Sequence, residues 1–594
     1  MNMNSCFKTI EHRADLCVVG GGLAGLCAAV SAARHGAKVV LVQDRPMLGG
    51  NASSEIRMWI CGAGGSNMRE TGLIEELALE NLYRNPDKNY SVWDGIMYEM
   101  ARGEDNIELL LNCSVNDCSM DGGRIVSVTG WQLTTQQFHK VEAKLFADCS
   151  GDSVLAPLTG AEFRHGRETE AEHGESIGRD IAPGDNKTMG MSCMIQAREE
   201  PHTSDFIPPK WAKHFTREDL PHRIPDMSSL YENFWYLELG GDGDSIGDTE
   251  KTRDELLQIA YGLWDFVKND PSMREKTRNW RLDWVGILPG KRESRRYVGD
   301  YILDQNDLQA AGHFDDVVAY GGWPMDDHDP RGFRNTDRPN VAYYVPSPYG
   351  IPYRCLYSKN VTNLFCAGRN ISVTHWALSS SRVMGTCALL GQAAGTAAAI
   401  AAREDCGPRD VYLKYIDELK QSLMDDDCYL PYNRRKVPAL TAEAEMSGGD
   451  GVEALRNGLD RPIGEEDNGF TCLPENAIEC RFRASAEVHG ARIVWDSELN
   501  RESMPIVSGS RFTHNMMCNK PFDMPDFYVP CALTRSYRII GVREDGTTET
   551  LFSTDENHQR LNRVPLSGTW AAVRLIPEKT WGAEKCHIFS FEVY

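Results

Sequence analysis

Three glycines, Gly20, Gly22 and Gly25, are spaced within Asp15 to Asp44 (DLCVVGGGLAGLCAAVSAARHGAKVVLVQD) as a diphosphate cradle would need them. Gly20 permits a tight turn, Gly22 lets the backbone reach the phosphates, and Gly25 lets a helix pack closely on the preceding strand. Leu16 to Val19 is a short apolar run suited to a buried parallel strand. Leu23 to His35 reads as an Ala- and Leu-rich helix stopped by Gly36, and Lys38 to Val42 as a second strand. The helix N-terminus offers free N–H groups and positive partial charge to an anion. A strand–turn–helix–strand order within about 30 residues separates a dinucleotide site from a merely tight turn. The acid that usually ends the second strand is absent. Gln43 stands there with Asp44 beside it, and the ribose partner is open between the two.

Three polar clusters could supply reactive groups. GKRESRRYVGD (290–300) gathers Arg292, Arg295 and Arg296 around Glu293, either as a solvated charge run or as cations that fix hydroxyls or carboxylates. GGWPMDDHDPRG (321–332) gathers Asp326, Asp327, His328 and Asp329. A metal half-site there would need a second His or Cys cluster nearby, so no metal is expected. A histidine oriented by a carboxylate makes His328 a general base; a hydrogen-bonded turn held by Pro324 and Pro330 is the rival reading. NISVTHWALSSSR (370–382) carries His375 and Arg382 into a helix, where ordinary polar caps are the alternative. No GxSxG, HExxH or P-loop occurs, and no CxxC or CxxxxC adjoins residues 45–57, so Cys61 reads as a buried small hydrophobe.

Further segments match a known pattern in order. They are RPMLGGNASSEIR (45–57), the apolar strand and turn LFADCSGDSVLAPLT (145–159), and VTNLFCAGRN (361–370) followed by the Gly/Ala helix SRVMGTCALLGQAAGTAAAIAA (381–402). Together they resemble the FAD-dependent oxidoreductase family of the glutathione-reductase-like superfold, with its early GGN-x-SSE-[IV]-R loop and late AGR-[NC]-[IL]-S motif, over residues 14–430. The resemblance implies FAD bound through Gly20, Gly22, Gly25, Gln43, Asp44, Arg45, Gly49, Gly50, Asn51, Ser53, Ser54, Val115, Gly151, Asp152, Gly368, Arg369, Arg382 and Val383. It places 290–300 near the flavin, with His328, His375 and Arg295 as catalytic candidates. Whether the flavin is covalently attached stays open.

About 200 residues lie between the return strand and the late motif, far more than a connection, so they read as an inserted substrate domain. Within it NFWYLELGG (233–241) reads as a strand, and Asp248 to Lys268 as an amphipathic helix capped by Asp248. Trp235 and Tyr236 read as core, with a sugar platform as the alternative. Asp410 to Leu423 is a further helix, and Ala442 to Asn468 is loop-like. Beyond it CRFRASAEV, ARIVWDSE, SYRIIGVREDGTTETLFST, WAAVRLIPEK and HIFSFEVY alternate with turns, including an Asp545-Gly546 hairpin signal. RIVWDSELNR with the closing IFSFEVY resembles a discoidin-like, galactose-binding-type β-sandwich, which implies either sugar binding or inert packing. The expected architecture is α/β: a Rossmann-like FAD-binding domain in two parts (14–160 and 351–430), an inserted α+β substrate domain (161–350) and an all-β sandwich (445–594).

With 594 residues the chain is long enough for about four domains at roughly 150 residues each. Lys+Arg 63 against Asp+Glu 86 gives a net charge of −23, a field that repels nucleic acid and anionic membrane surfaces. The longest weakly polar stretch, Cys387 to Ala402, reads as a buried helix, not a membrane span. The start MNMNSCFKTIEHRAD lacks a secretion core, and the 18 scattered cysteines suit reduced thiols, so a cytoplasmic location is expected. The leading functional expectation is an oxidoreductase moving hydride between flavin N5 and a small molecule, a sugar or glycoside hydroxyl carbon. Its alternatives are fumarate-reductase-like reduction of an unsaturated acid, or a non-catalytic glycan-binding flavoprotein. The electron acceptor is unknown, and a homo-oligomer is an open expectation.

Overall fold

The computed structural model describes residues 7–229, 232–507 and 509–594, which divide into two compact units. Residues 1–6, which open the stretch read as lacking a secretion core and include Cys6, lie outside the described residues.

The first unit is built on a seven-stranded sheet. β1 (Thr9–Val19) lies between β2 (Val39–Val42) and β6 (Gln137–Asp148), parallel to both. β3 (Ile107–Leu110) extends one side, while β5 (Arg124–Gln132) and β4 (Cys113–Asp121) fold back antiparallel on the other. The last four residues of β1 are all buried, which is why its sequence is a continuous apolar run and not an alternating one. β6 changes neighbour along its length: Gln137 to Glu142 pair with β5, but Phe146 to Asp148 pair with β7 (Leu364–Cys366). The C-terminal ends of β1, β6 and β7 therefore converge, and each runs into a glycine turn, at Gly20, Gly151 and Gly368.

α1 (Leu23–Arg34) follows β1 directly and packs along the 20-residue helix Met384–Arg403. Contact is close because the second helix presents glycine: a β-carbon on Gly391 or Gly395 would lie 2.0 Å from the Ala24 carbonyl oxygen or 2.2 Å from that of Ala28. Ser31 Oγ and Thr396 Oγ1 meet across the same seam at 2.7 Å. Among the described residues Met384–Arg403 is the one helix long and apolar enough to cross a membrane, and 94% of its apolar window is buried within the protein.

The inserted stretch builds short β-pairs and the helix Thr249–Asn269 around a core of Leu256, Leu263, Trp264 and Phe234. Two expectations fail here. Of NFWYLELGG only Glu238–Leu239 is strand, because Phe234 turns at positive φ (65°) and aims Trp235 and Tyr236 in different directions. Asp248 makes no cap; its carboxylate accepts the Asp244 amide instead. Lys268 lies in the last turn, and its ammonium ties the helix to the segment that follows, donating to the Thr277, Arg278 and Trp280 carbonyls at 2.7, 3.1 and 2.6 Å.

The second unit is a β-sandwich. Its five-stranded sheet runs 445–447, 478–487, 569–580, 534–542, 548–554, and its four-stranded sheet 470–472, 586–593, 490–495, 561–565. The faces meet at Trp495 and Tyr537, with ring centroids 5.0 Å apart. The Asp545-Gly546 turn forms as the sequence indicates, with Gly546 at φ 83°. The short strands 445–447, 470–472 and 561–565 are missed by the sequence reading.

Three stretches cross the boundaries read from sequence: the sandwich unit begins at Gln421, inside the 351–430 segment assigned to the FAD-binding domain, and two others change units outright. Residues 65–87 belong to the sandwich unit, and 514–525 to the first. The exchange of 65–87 has a plain cause: Glu75 on the helix Leu73–Arg84 is buried against Arg501, which donates to both carboxylate oxygens at 2.9 and 2.8 Å.

Substituting Gly395→Val should destabilise the first unit by about 1–3 kcal/mol or more, because the added atoms meet backbone that cannot yield. A thermal midpoint equal to that of the unaltered protein would show the helix seam to be looser than its geometry.

Candidate active site

A cavity of about 760 Å³ lies in the first unit at the converging strand ends. At one end it is lined by Gly20, Gly22, Gln43, Asp44 and Arg45, and by Gly49, Gly50 and Asn51 of the following loop. Val115, Gly151, Asp152, Gly368, Arg369, Arg382 and Val383 line it as well. Gly25, Ser53 and Ser54 do not. Gly25 serves packing, since a β-carbon there would sit 1.8 Å from the Gly20 carbonyl oxygen. Ser53 and Ser54 bond within their own loop and to Asp94.

The cavity end at the glycines suits a dinucleotide. A β-carbon on Gly22 would meet nothing closer than the Gly50 Cα at 3.9 Å, so a side chain there would fill the cradle. Arg45 Nη1 and Arg369 Nε are buried without a hydrogen-bond partner, cationic groups left for an anion. The Gln43 side chain is committed elsewhere: its Oε1 accepts the Gly21 amide at 2.7 Å and its Nε2 donates to the Met47 carbonyl. Asp44 is exposed and lines the cavity. Beside Gly151, Asp152 accepts from Lys291 Nζ at 2.8 Å, Arg369 Nη2 at 2.9 Å and Ser294 Oγ at 2.8 Å. Burial by itself would raise that carboxyl, but Arg369 and Lys291 hold it down at about 2.

The other end carries a chain of alternating charges. His328 Nδ1 meets Glu238 at 2.6 Å and Nε2 meets Asp326 at 3.2 Å. Arg292 flanks Glu238 at 3.4 Å, and Arg382 flanks Asp326 at 3.4 Å. Burial opposes ionisation of both acids, yet Arg292 and His328 keep the Glu238 carboxyl below its ordinary value, and His328 and Arg382 keep that of Asp326 well below. His328, Asp326, Arg292, Arg382 and Trp235 all line the cavity, with the Trp235 ring edge-on to His328 at 5.2 Å. Trp235 is half-buried, packing against the core as read from sequence while its ring also lines the cavity, and Tyr236 is buried in that core. Sequence reasoning missed Glu238, which lies 90 residues from His328 inside an apolar run, and Arg292 was visible only as one of a cluster.

His375 does not line the cavity. It is fully buried, with Nδ1 on Glu293 at 2.9 Å and Nε2 on Asp327 at 3.1 Å. Burial would lower its pKa, but the two carboxylates raise it to about 10, so it stands as an imidazolium and is no general base near neutrality. Arg296 completes this group against Glu293 and Glu168. Arg295 lines the cavity but is held aside, donating to the Asp152 carbonyl at 3.4 Å and lying over the Phe163 ring. Of the three catalytic candidates, His328 and Arg295 line the cavity and His375 does not. Cys61 lines the wall and is buried.

A Rossmann-type sheet and a glycine cradle flanked by Arg45 and Arg369 suit a bound dinucleotide. A family model described as FAD dependent oxidoreductase matches residues 15–423, and the chain belongs to that family, with FAD as its cofactor. No curated protein matches. Among solved structures, the chain is similar to a geranylgeranyl bacteriochlorophyll reductase-like protein from Thermoplasma acidophilum (13% identity, 70% of this chain, 86% of that one, TM-score 0.30). It is similar to E. coli quinol fumarate reductase (12%, 70%, 75%, 0.27). It is also similar to the family 32 carbohydrate-binding module of Streptococcus pneumoniae EndoD (13%, 27%, 97%, 0.19).

Two outcomes follow. Gly22→Val should fold normally but purify colourless, because its side chain occupies the cradle; full flavin content in the 450 nm region would refute the site. A histidine raised in the folded state contributes stability that is fully present below its unfolded value of about 6.5 and is lost as pH rises toward about 10. Thermal midpoints should therefore fall between those limits for the unaltered protein, and less steeply for His375→Gln. Parallel curves would remove His375 from the charge network.

Proposed function

We propose that the protein oxidises a neutral hydroxylated small molecule, a sugar or glycoside, by removing hydride from the carbon that carries the hydroxyl. The observation that carries this reading is His328, held in the cavity wall between Glu238 and Asp326. FAD, when bound, supplies a two-electron hydride acceptor at N5. The backbone at Gly20, Gly22 and Gly50 with Arg45 and Arg369 would hold its diphosphate, and Asp44 its ribose.

The short Nδ1 contact with Glu238 fixes the imidazole's orientation, and Nε2, whose partner is Asp326 at 3.2 Å, exchanges that contact for the substrate hydroxyl when it takes up a proton. Loss of the hydroxyl proton to Nε2 and of the C–H hydride leaves a carbonyl on the substrate. Asp326 steadies the charge that His328 gains, and Arg382 offsets Asp326 in turn. Paired charges also bear on substrate class. Arg292 faces Glu238 and Arg382 faces Asp326, each at 3.4 Å, so much of the chamber's positive charge is matched by carboxylates, which supports a neutral, hydroxylated substrate. Trp235 and Trp323 add apolar faces to the wall, against which a sugar's C–H groups can pack.

His328→Gln should keep its flavin and lose about 10²- to 10⁴-fold in the rate of flavin bleaching by substrate. Anaerobic stopped-flow with a panel of glycosides, and fumarate reoxidation of the dithionite-reduced protein as a control, would read it. Unchanged bleaching in the variant would remove His328 as the base. Reoxidation by fumarate without bleaching by any glycoside would reverse the direction of the reaction.

A further inference from the structure

Residues 514–525 (HNMMCNKPFDMP) lie beyond the span matched by the family model, and the chain on both sides of them belongs to the sandwich unit. They nevertheless sit in the first unit, and they are buried without forming a helix or strand of their own: Met516, Met517, Cys518 and Asn519 are 0–3% exposed. Irregular backbone is buried only where its polar groups find partners. These groups bond to the strand Ile195–Glu199. Lys520 N donates to the Ala197 carbonyl at 3.0 Å, the Lys520 carbonyl accepts from Glu199 N at 2.8 Å, and Asn519 Oδ1 accepts the Ala197 amide at 3.2 Å.

From that anchorage the segment backs the cavity wall. His514 Nδ1 donates to the Ile60 carbonyl at 3.0 Å, and its ring lies 6.0 Å from that of Trp59. Tyr90 Oη contacts the Arg57 carbonyl at 3.2 Å and the Met517 carbonyl at 3.4 Å. The Arg57 guanidinium, between the Tyr90 and Trp284 rings, reaches Gln196 on the same anchoring strand. Ile56, Met58, Trp59 and Cys61, the residues this scaffold supports, all line the cavity.

We infer that His514 is a positioning residue of the active site: segment 514–525 is a strap that sets Trp59 and the 56–61 wall, and so the width of the chamber that admits substrate. The strap acts through the wall and touches no reacting group. The part of this inference that concerns the chamber rests on the flavin reading above, while the strap's hold on 56–61 can be measured without it.

The test uses the flavin-loaded full chain. Hydrogen exchange read by mass spectrometry should show amides of 56–62 exchanging about tenfold faster or more in His514→Ala than in the unaltered protein, with peptides covering 16–30 unchanged. Iodide quenching of flavin fluorescence should rise by about twofold, at unchanged flavin content. His514→Asn, which retains a donor for Ile60, should restore both. Faster exchange confined to 514–525 would overturn the inference, as would unaltered quenching alongside full flavin content. Loss of flavin content itself would instead count against the cofactor site. The unaltered protein gives a second reading that needs no variant to fold. Protection of 56–62 should not outlast that of 514–520, and longer-lived protection of the wall would overturn the strap's role.

Discussion

Charge compensation around the hairpin at 325–328 is the constraint on which the site depends. Asp326 and Asp327 are adjacent, and alternation along a strand sends them to opposite faces. Each face then buries an acid, and a buried acid must be paired. On the cavity side the pairing runs through His328 and Arg382, and on the enclosed side through His375. Two histidines that look equivalent in the sequence thereby receive different tasks. One stands in the cavity wall between Glu238 and Asp326. The other is locked as a cation that ties the hairpin to Glu293 and, through it, to Arg296.

This arrangement also accounts for the arginine run 292–296. In a chain with a net charge of −23, it supplies local positive charge where buried carboxylates require it. Arg292 turns toward Glu238, Arg296 toward Glu293 and Glu168, and Lys291 toward Asp152. The run is neither a solvated surface nor a set of free clamps. Arg292 and Arg296 are spread among several carboxylates, while Arg295 lies over Phe163 and reaches the Asp152 carbonyl.

At the opposite end the controlling quantity is backbone distance. Gly25 lets α1 close onto the Gly20 turn, and Gly391 and Gly395 let the late helix close onto α1. That stack places the helix start at Val383 and Met384 beside the early glycine loop, so segments more than 300 residues apart line one cavity. The cofactor end is thus formed by close backbone packing and the reaction end by paired charges.

The cofactor end was legible in the sequence because its determinants are local. A turn, a helix start and a strand end must follow one another within a few residues, and each leaves its own mark in glycine spacing and apolar runs. The late helix and most sandwich strands were legible for the same reason, since burial on one or both faces imposes a period. What tertiary structure alone decided is whatever depends on partners distant in the chain. Glu238 becomes the partner of His328 across 90 residues. Gln43 is drawn away from a ribose by the Gly21 amide, and Trp235 packs on the core while its ring also lines the cavity. Residues 65–87 and 514–525 each settle in the unit that can satisfy their buried polar groups, Glu75 against Arg501 and the strap against Ala197 and Glu199. Local periodicity carries no record of such pairings, because the free energy that selects them appears only once burial has removed water as the competing partner.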